Sequence, residues 1–225
     1  MEKLLFFLAG LPAAFLAERL ILRFTRLAED LDDEEDGGRP QRRLPWQDGP
    51  WPARLRWAVV IPIPGFMAVA ASRFDLLQAA GVSLLVAALL ICTATDLLRY
   101  RVPNAVTYPG VLLALTAALV MPDANLPSAV LAALIGGALF LLLSVLTRGG
   151  LGLGDVKLAV LIGAALGLPA AYQAMVLGVV AGGVVILVLF LAGVVGRRQA
   201  VPYAPFLALA AVIVVLTQGA AFAPL

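Results

Sequence analysis

Histidine is absent from these 225 residues and cysteine occurs once, as Cys92. Chemistry carried by imidazole is therefore excluded, as is any site that needs several thiolates, and catalysis falls mainly to carboxylates. Charge is scarce too: 13% of residues are charged against 62% hydrophobic, and the mean hydropathy is +1.00. Soluble domains carry about 25% charged residues, so this composition excludes an ordinary soluble fold. Cys92 lies inside an apolar stretch and is most simply a small packing residue.

What is present is a succession of apolar runs, each of the order of the roughly 20 residues a helix needs to cross a bilayer. Eight are read, at about 4–24, 57–72, 76–98, 105–121, 127–147, 155–168, 170–196 and 203–219. They are continuously apolar rather than alternating, which points to helices and not to a barrel. The expected fold is all-α, a polytopic membrane bundle of about eight transmembrane helices. Its expected organisation is a first helix over 1–24, a flexible cytoplasmic loop over 25–56 and a membrane-embedded domain over 57–225. No internal repeat stands out.

Lys and Arg accumulate in cytoplasmic loops. With the N-terminus outside, Arg26, Arg39, Arg42, Arg43, Arg54, Arg56, Arg99, Arg101, Arg148, Lys157, Arg197 and Arg198 all fall on the cytoplasmic side, leaving Lys3 and Arg73 outside. Residues 1–17 also fit a secretory signal peptide, but cleavage would leave the arginine-rich loop outside. That loop carries an acidic run from Glu29 to Asp36, then Gly37, Gly38 and a basic, Pro-rich stretch. Blocks of like charge with little apolar content read as a loop rather than a domain. Trp46 and Trp51 suit an interfacial position.

Two acids stand at the ends of apolar runs on the same expected side of the bilayer. A charge at the centre of a membrane helix costs about 2.5–3.5 kcal/mol on insertion scales, and such acids persist where a partner or a water-filled cavity repays the cost. Asp96 closes the third run, ahead of Arg99, Arg101, Val102, Pro103 and Asn104. Pro103 disfavours helical geometry at Val102, and Asn104 is expected to cap the next helix through its side-chain oxygen. A plain surface ion pair with Arg99 or Arg101 also accounts for Asp96. Asp155 opens the sixth run in Gly149-Gly150-Leu151-Gly152-Leu153-Gly154-Asp155-Val156-Lys157. Glycines there permit unusual backbone angles and close approach of another chain. An N-capping role at the positive end of the helix dipole is the simpler alternative for Asp155.

Gly152-Leu153-Gly154-Asp155, followed by Val156-Lys157, resembles the GxGD motif of the type IV prepilin peptidases. The segment from Asp96 through Pro103 and Asn104 is similar to that family's first aspartate segment, and Pro202-Tyr203-Ala204-Pro205-Phe206 to the start of its last helix. The resemblance spans about residues 76–217 and implies an intramembrane aspartic endopeptidase. Asp96 and Asp155 would be catalytic, with Gly152, Gly154, Lys157, Pro103 and Asn104 supporting the motif. Neighbouring carboxyls do not both ionise cheaply, so the pair would share a proton, one member activating water and the other polarising the scissile carbonyl.

The implied substrates are prepilins or pseudopilins, cut at the cytoplasmic interface of the inner membrane, with the lipid bilayer as the other partner. No cofactor, metal or nucleic-acid partner is implied, and the oligomeric state is left open. Bifunctional bacterial members carry paired CxxC motifs in the first cytoplasmic loop; this loop has no cysteine. A tetrathiolate zinc site is thereby excluded, and the resemblance gives no support for N-methylation. In this respect the chain looks more like the peptidase-only relatives of tight-adherence pili and archaeal preflagellins. Two readings from other classes stand beside it: a proton-coupled transporter using Asp96 and Asp155 as ion or proton sites, expected to show midplane acids and inverted repeats, and an inactive membrane scaffold.

Overall fold

The structure, a computed structural model, describes residues 2–35, 51–121, 124–147, 151–196 and 201–224. Within these the chain forms an all-α bundle: α1 (Glu2–Glu35), α2 (Trp51–Val60), α3 (Ile63–Arg73), α4 (Leu76–Arg99), α5 (Asn104–Val120), α6 (Leu126–Leu146), α7 (Leu153–Leu166), α8 (Ala170–Leu191) and α9 (Ala204–Gln218). A two-residue antiparallel pairing, β1 (Gly219–Ala220) with β2 (Ala223–Pro224), closes the C-terminus. The segments Lys3–Arg26, Leu76–Arg99, Leu126–Leu146 and Ala170–Leu191 are long and apolar enough to cross a membrane, and shorter apolar helices lie between and after them.

Several boundaries differ from the sequence reading, each for a local reason. Helix α1 runs on to Glu35, because Leu27, Ala28, Glu29, Leu31, Glu34 and Glu35 are good helix formers whatever their hydropathy. The loop expected over 25–56 is thus helical at both ends; Arg39, Arg42, Arg43 and Trp46 lie outside the described residues. The run at 57–72 is broken between α2 and α3, where Pro62 and Pro64 remove two amide donors and Pro62 becomes the N-cap of α3. The run at 170–196 ends as a helix at Leu191.

Helix α7 sits at the centre, packed on α5, α6, α8 and α9. Beyond Lys157 it is apolar all round, as a helix surrounded by others must be, and most of its residues are buried. Its 14 residues rise about 21 Å, less than the roughly 30 Å of a bilayer core. Glycine brings the helices together: a Cβ on Gly163 of α7 would stand 2.5 Å from the carbonyl oxygen of Ala132 and 2.6 Å from Cα of Ala133 in α6. The α8 and α9 contact is similar, with Cα of Leu207 only 3.0 Å from a Cβ at Gly178.

One end of the bundle gathers the last turn of α4 and the first turns of α5, α7 and α9. The other end is closed by the C-terminal hairpin: Ala221 donates its N–H to the carbonyl of Ala165 (2.9 Å) and accepts from the N–H of Asn125 (2.9 Å), and Phe222 is buried.

Candidate active site

Asp96 lies in the last turn of α4, 6% exposed. Tyr100 ends the helix, donating its N–H to the carbonyl of Asp96 (2.8 Å), and takes the left-handed conformation (φ 53°, ψ 31°). Left-handed geometry is unusual for a bulky residue and costs of order 1–3 kcal/mol. It turns the chain sharply into the stretch before Pro103. The carboxylate of Asp96 reaches across to α9, where Oδ2 accepts the backbone N–H of Ala204 (3.0 Å) and the carboxylate also accepts from that of Tyr203. No side chain of α9 caps its own N-terminus; Asp96 supplies that cap from another helix and sits at the positive end of the α9 dipole.

Asp155 is the third residue of α7, 7% exposed. Its Oδ2 accepts the N–H of Gly152 (3.1 Å), while its own N–H donates to the Gly152 carbonyl (3.1 Å). Asp155 therefore closes the first turn from within the helix rather than standing at the N-cap. The glycine segment is tied to α6 through Ser144 Oγ, which donates to the carbonyl of Leu151 (2.7 Å). The two aspartates, far apart in sequence, are brought to one end of the bundle, where Gly154, next to Asp155, stands against Val102 in the turn that follows Asp96, and Lys157 bonds Asn104.

The supporting residues divide. Gly154 is where close approach is needed: a Cβ there would lie 3.0 Å from Cγ2 and 3.1 Å from Cβ of Val102, in the turn that follows α4. Gly152 has ordinary extended angles (φ −72°, ψ 151°) and no crowding, so the expectation of unusual backbone angles does not hold there. Gly149 and Gly150 lie outside the described residues. Pro103 is the N-cap of α5, its carbonyl accepting the N–H groups of Val106 and Thr107 (both 3.1 Å). Asn104 does not cap α5 as expected. It is the first helical residue, and its Oδ1 accepts instead from Lys157 Nζ (2.7 Å). Lys157 also lies 5.7 Å from the Tyr108 ring centroid, a cation–π contact between α7 and α5.

Sequence reasoning missed three features. The amides of Tyr203 and Ala204 carry no side-chain signal. Glu18, in α1, is buried at 7% exposure; an acid inside an apolar run was the signal for it. Thr93, one turn before Asp96, is 9% exposed, and its hydroxyl has no partner among the described residues.

A sequence model of the type IV leader peptidase family matches residues 83–196. No curated protein and no solved structure matches the chain. The matched stretch covers just over half of the 225 residues and holds Asp96, the turn through Asn104, and Gly152 to Lys157. By that match the chain belongs to the type IV leader peptidase family, and the buried acids at the end of α4 and the start of α7 lie in a membrane peptidase.

Proposed function

We propose that the protein is an intramembrane aspartic endopeptidase of the GxGD type that removes the N-terminal leader from type IV prepilins or pseudopilins at the cytoplasmic face of the inner membrane. The observation that carries this reading is the placement of two buried carboxylates, Asp96 and Asp155, at the same end of the bundle, with the glycine before Asp155 packed on the turn that follows Asp96. A carboxylate buried without a matched cation is costly, and two together are costlier still unless they share a proton. The ionised member takes a proton from water as its oxygen adds to the scissile carbonyl carbon. The protonated member donates to the carbonyl oxygen, and a proton passes to the leaving amine as the C–N bond breaks. The titration belongs to the pair, so neither residue takes a fixed role.

Residues 57–225 are the peptidase domain in this reading, with Gly154 seating α7 against Val102 and the Lys157–Asn104 bond holding α5 to α7. The arginine distribution supports an outside N-terminus and a cytoplasmic site. Replacing Asp96 or Asp155 singly with Asn, alongside a co-expressed prepilin, is the test. Each variant is expected at normal membrane levels with the leader uncut; processing at the wild-type rate by either rules out the pair.

A further inference from the structure

A cavity of about 320 Å³ lies between α6 and α8. It runs from Ala132 and Ala171 to Leu143 and Val180, and every side chain along it is apolar except Tyr172. From Ala132 to Leu143 the helix rises about 16 Å. Ile135, Val176 and Val180 on its walls are exposed, so it is a groove open to the surface expected to face lipid.

The groove leads to the acids. Leu168, just ahead of α8, donates its N–H to Ser128 Oγ in the first turn of α6 (2.7 Å) and accepts from it at its carbonyl (3.1 Å), so both helices start at the hairpin end and run toward the site. Part way along, Met175 lies over Gly136. Eight residues further on each helix stand Gly183 and Ser144, a rise of about 12 Å. Ser144 is the residue bonded to Leu151 in the segment before Asp155. At the same end Tyr203 donates its hydroxyl to the carbonyl of Val179 in the groove wall (3.0 Å), and the amide of the following residue, Ala204, bonds Asp96.

Gly183 identifies the kind of occupant. It continues the groove face of α8, three residues beyond Val180, and nothing lies within 4 Å of a Cβ there. A glycine inside a helix costs about 1 kcal/mol relative to alanine, and no contact within the bundle calls for this one. Small residues let the backbones of membrane helices approach each other, whereas fluid acyl chains need no such clearance. A polypeptide lying at membrane depth must also satisfy its own backbone groups, which makes it a helix. Against these walls its side chains have to be apolar.

Resting on the reading of Asp96 and Asp155 as the catalytic pair, we propose that the groove between α6 and α8 seats the apolar, bilayer-embedded helix of the substrate that adjoins the scissile bond, with Gly183 at the closest approach. The seated helix presents the bond at its end to the two acids. Val176, Val180 and Gly183 thus set which chains are cut and take no part in proton transfer.

The experiment compares wild type, Gly183→Leu, Val176→Phe, Asp96→Asn and, as a control on exposed α5, Leu112→Phe, each as the full chain reconstituted in liposomes with a purified prepilin. Leader cleavage gives kcat and KM, and thermal unfolding gives Tm. Gly183→Leu and Val176→Phe are each expected to raise KM about tenfold with kcat within about threefold, the mark of lost substrate binding, and to keep the wild-type Tm. Leu112→Phe changes none of the three. In an Asp96→Asn background, which leaves the substrate uncut, Val180→Cys is expected to cross-link to a cysteine placed in the apolar helix of the prepilin, and Leu112→Cys is not. Wild-type KM in both groove variants leaves the groove to lipid and overturns the proposal. A KM rise found only together with a fall in Tm overturns it too, as does a Val180→Cys variant that links only to a second copy of the chain. Cleavage by Asp96→Asn defeats the parent reading instead, whereas an inactive Asp96→Asn beside groove variants of wild-type KM removes only the role of the groove.

Discussion

Asp96 and Asp155 hold their carboxylates by different means: the first reaches across the bundle to the amides that open α9, the second folds back on its own helix at Gly152. Moving α9 would therefore disturb one acid and spare the other. Lys157 is bonded to Asn104 and stacked on Tyr108, which makes it a tie between α7 and α5. Lys157→Met is expected to cost less than about 1 kcal/mol, as exposed polar contacts do, and to leave kcat within about threefold. A loss beyond about a hundredfold, the scale of a lost electrostatic donor to the reacting oxygen, would instead put the ammonium at the chemistry. Gly154→Val crowds Val102; overpacking costs about 1–3 kcal/mol and is expected to lower leader cleavage at least tenfold, with Gly154→Ala between it and wild type. Equal rates for all three would show that the Val102 contact does not set the position of Asp155. The acids themselves were legible in the sequence, because charge beside hydrocarbon is rare. The amides that Asp96 accepts from were not, because they are backbone; nor was the bond of Asn104 to Lys157, 53 residues away, which takes the side chain that local sequence suits to a cap.

At the scale of elements, helix existence followed from hydropathy and helix ends did not. The break between α2 and α3 comes from two prolines, and the extension of α1 to Glu35 from helix propensity in a polar stretch; hydropathy registers neither. Packing by glycine makes a sharper prediction. A Cβ at Gly163 would lie 2.5 Å from the α6 backbone, whereas nothing lies within 4 Å of a Cβ at Gly183 in α8. Both are helical glycines, so propensity alone would make Ala favourable at either by about 1 kcal/mol. Gly163→Ala is expected to lower the unfolding temperature in detergent, and Gly183→Ala to leave it unchanged or raise it. The same response in both would mean that the α6 and α7 approach is not a close-packed contact.

For the whole molecule, the large apolar side chains left exposed, among them Leu112, Leu119, Val120, Leu134, Val145 and Leu191, form the surface expected to face lipid. The bundle places the aspartates at one end and Arg73 at the other, where its Nη1 donates to the carbonyl of Leu216 (2.9 Å). The sidedness argued from arginines is open to a direct check, because Cys92 is fully buried and should not react. A cysteine at exposed Leu153, beside the acids, is expected to take a membrane-impermeant thiol reagent in inverted vesicles only, and one at exposed Leu76, at the other end, in intact cells only. The reverse pattern would turn the proposed site away from the cytoplasm. The general layout was readable because a bilayer imposes length and hydropathy on every span. The approach of the Asp96 and Asp155 segments was expected only through the family resemblance, and the docking of the start of α9 on Asp96 was not readable, since it depends on contacts far apart in the chain.

The most direct test of the two carboxyls acting as one unit is the rate of prepilin leader cleavage by purified, reconstituted Asp96→Asn, Asp155→Asn and the double variant. Residues that act together give losses that do not multiply. Each single variant is expected to fall at least about a thousandfold and to lie close to the double. A single variant that keeps more than about a tenth of the wild-type rate, or a double whose loss is the product of the two single losses, would contradict the account.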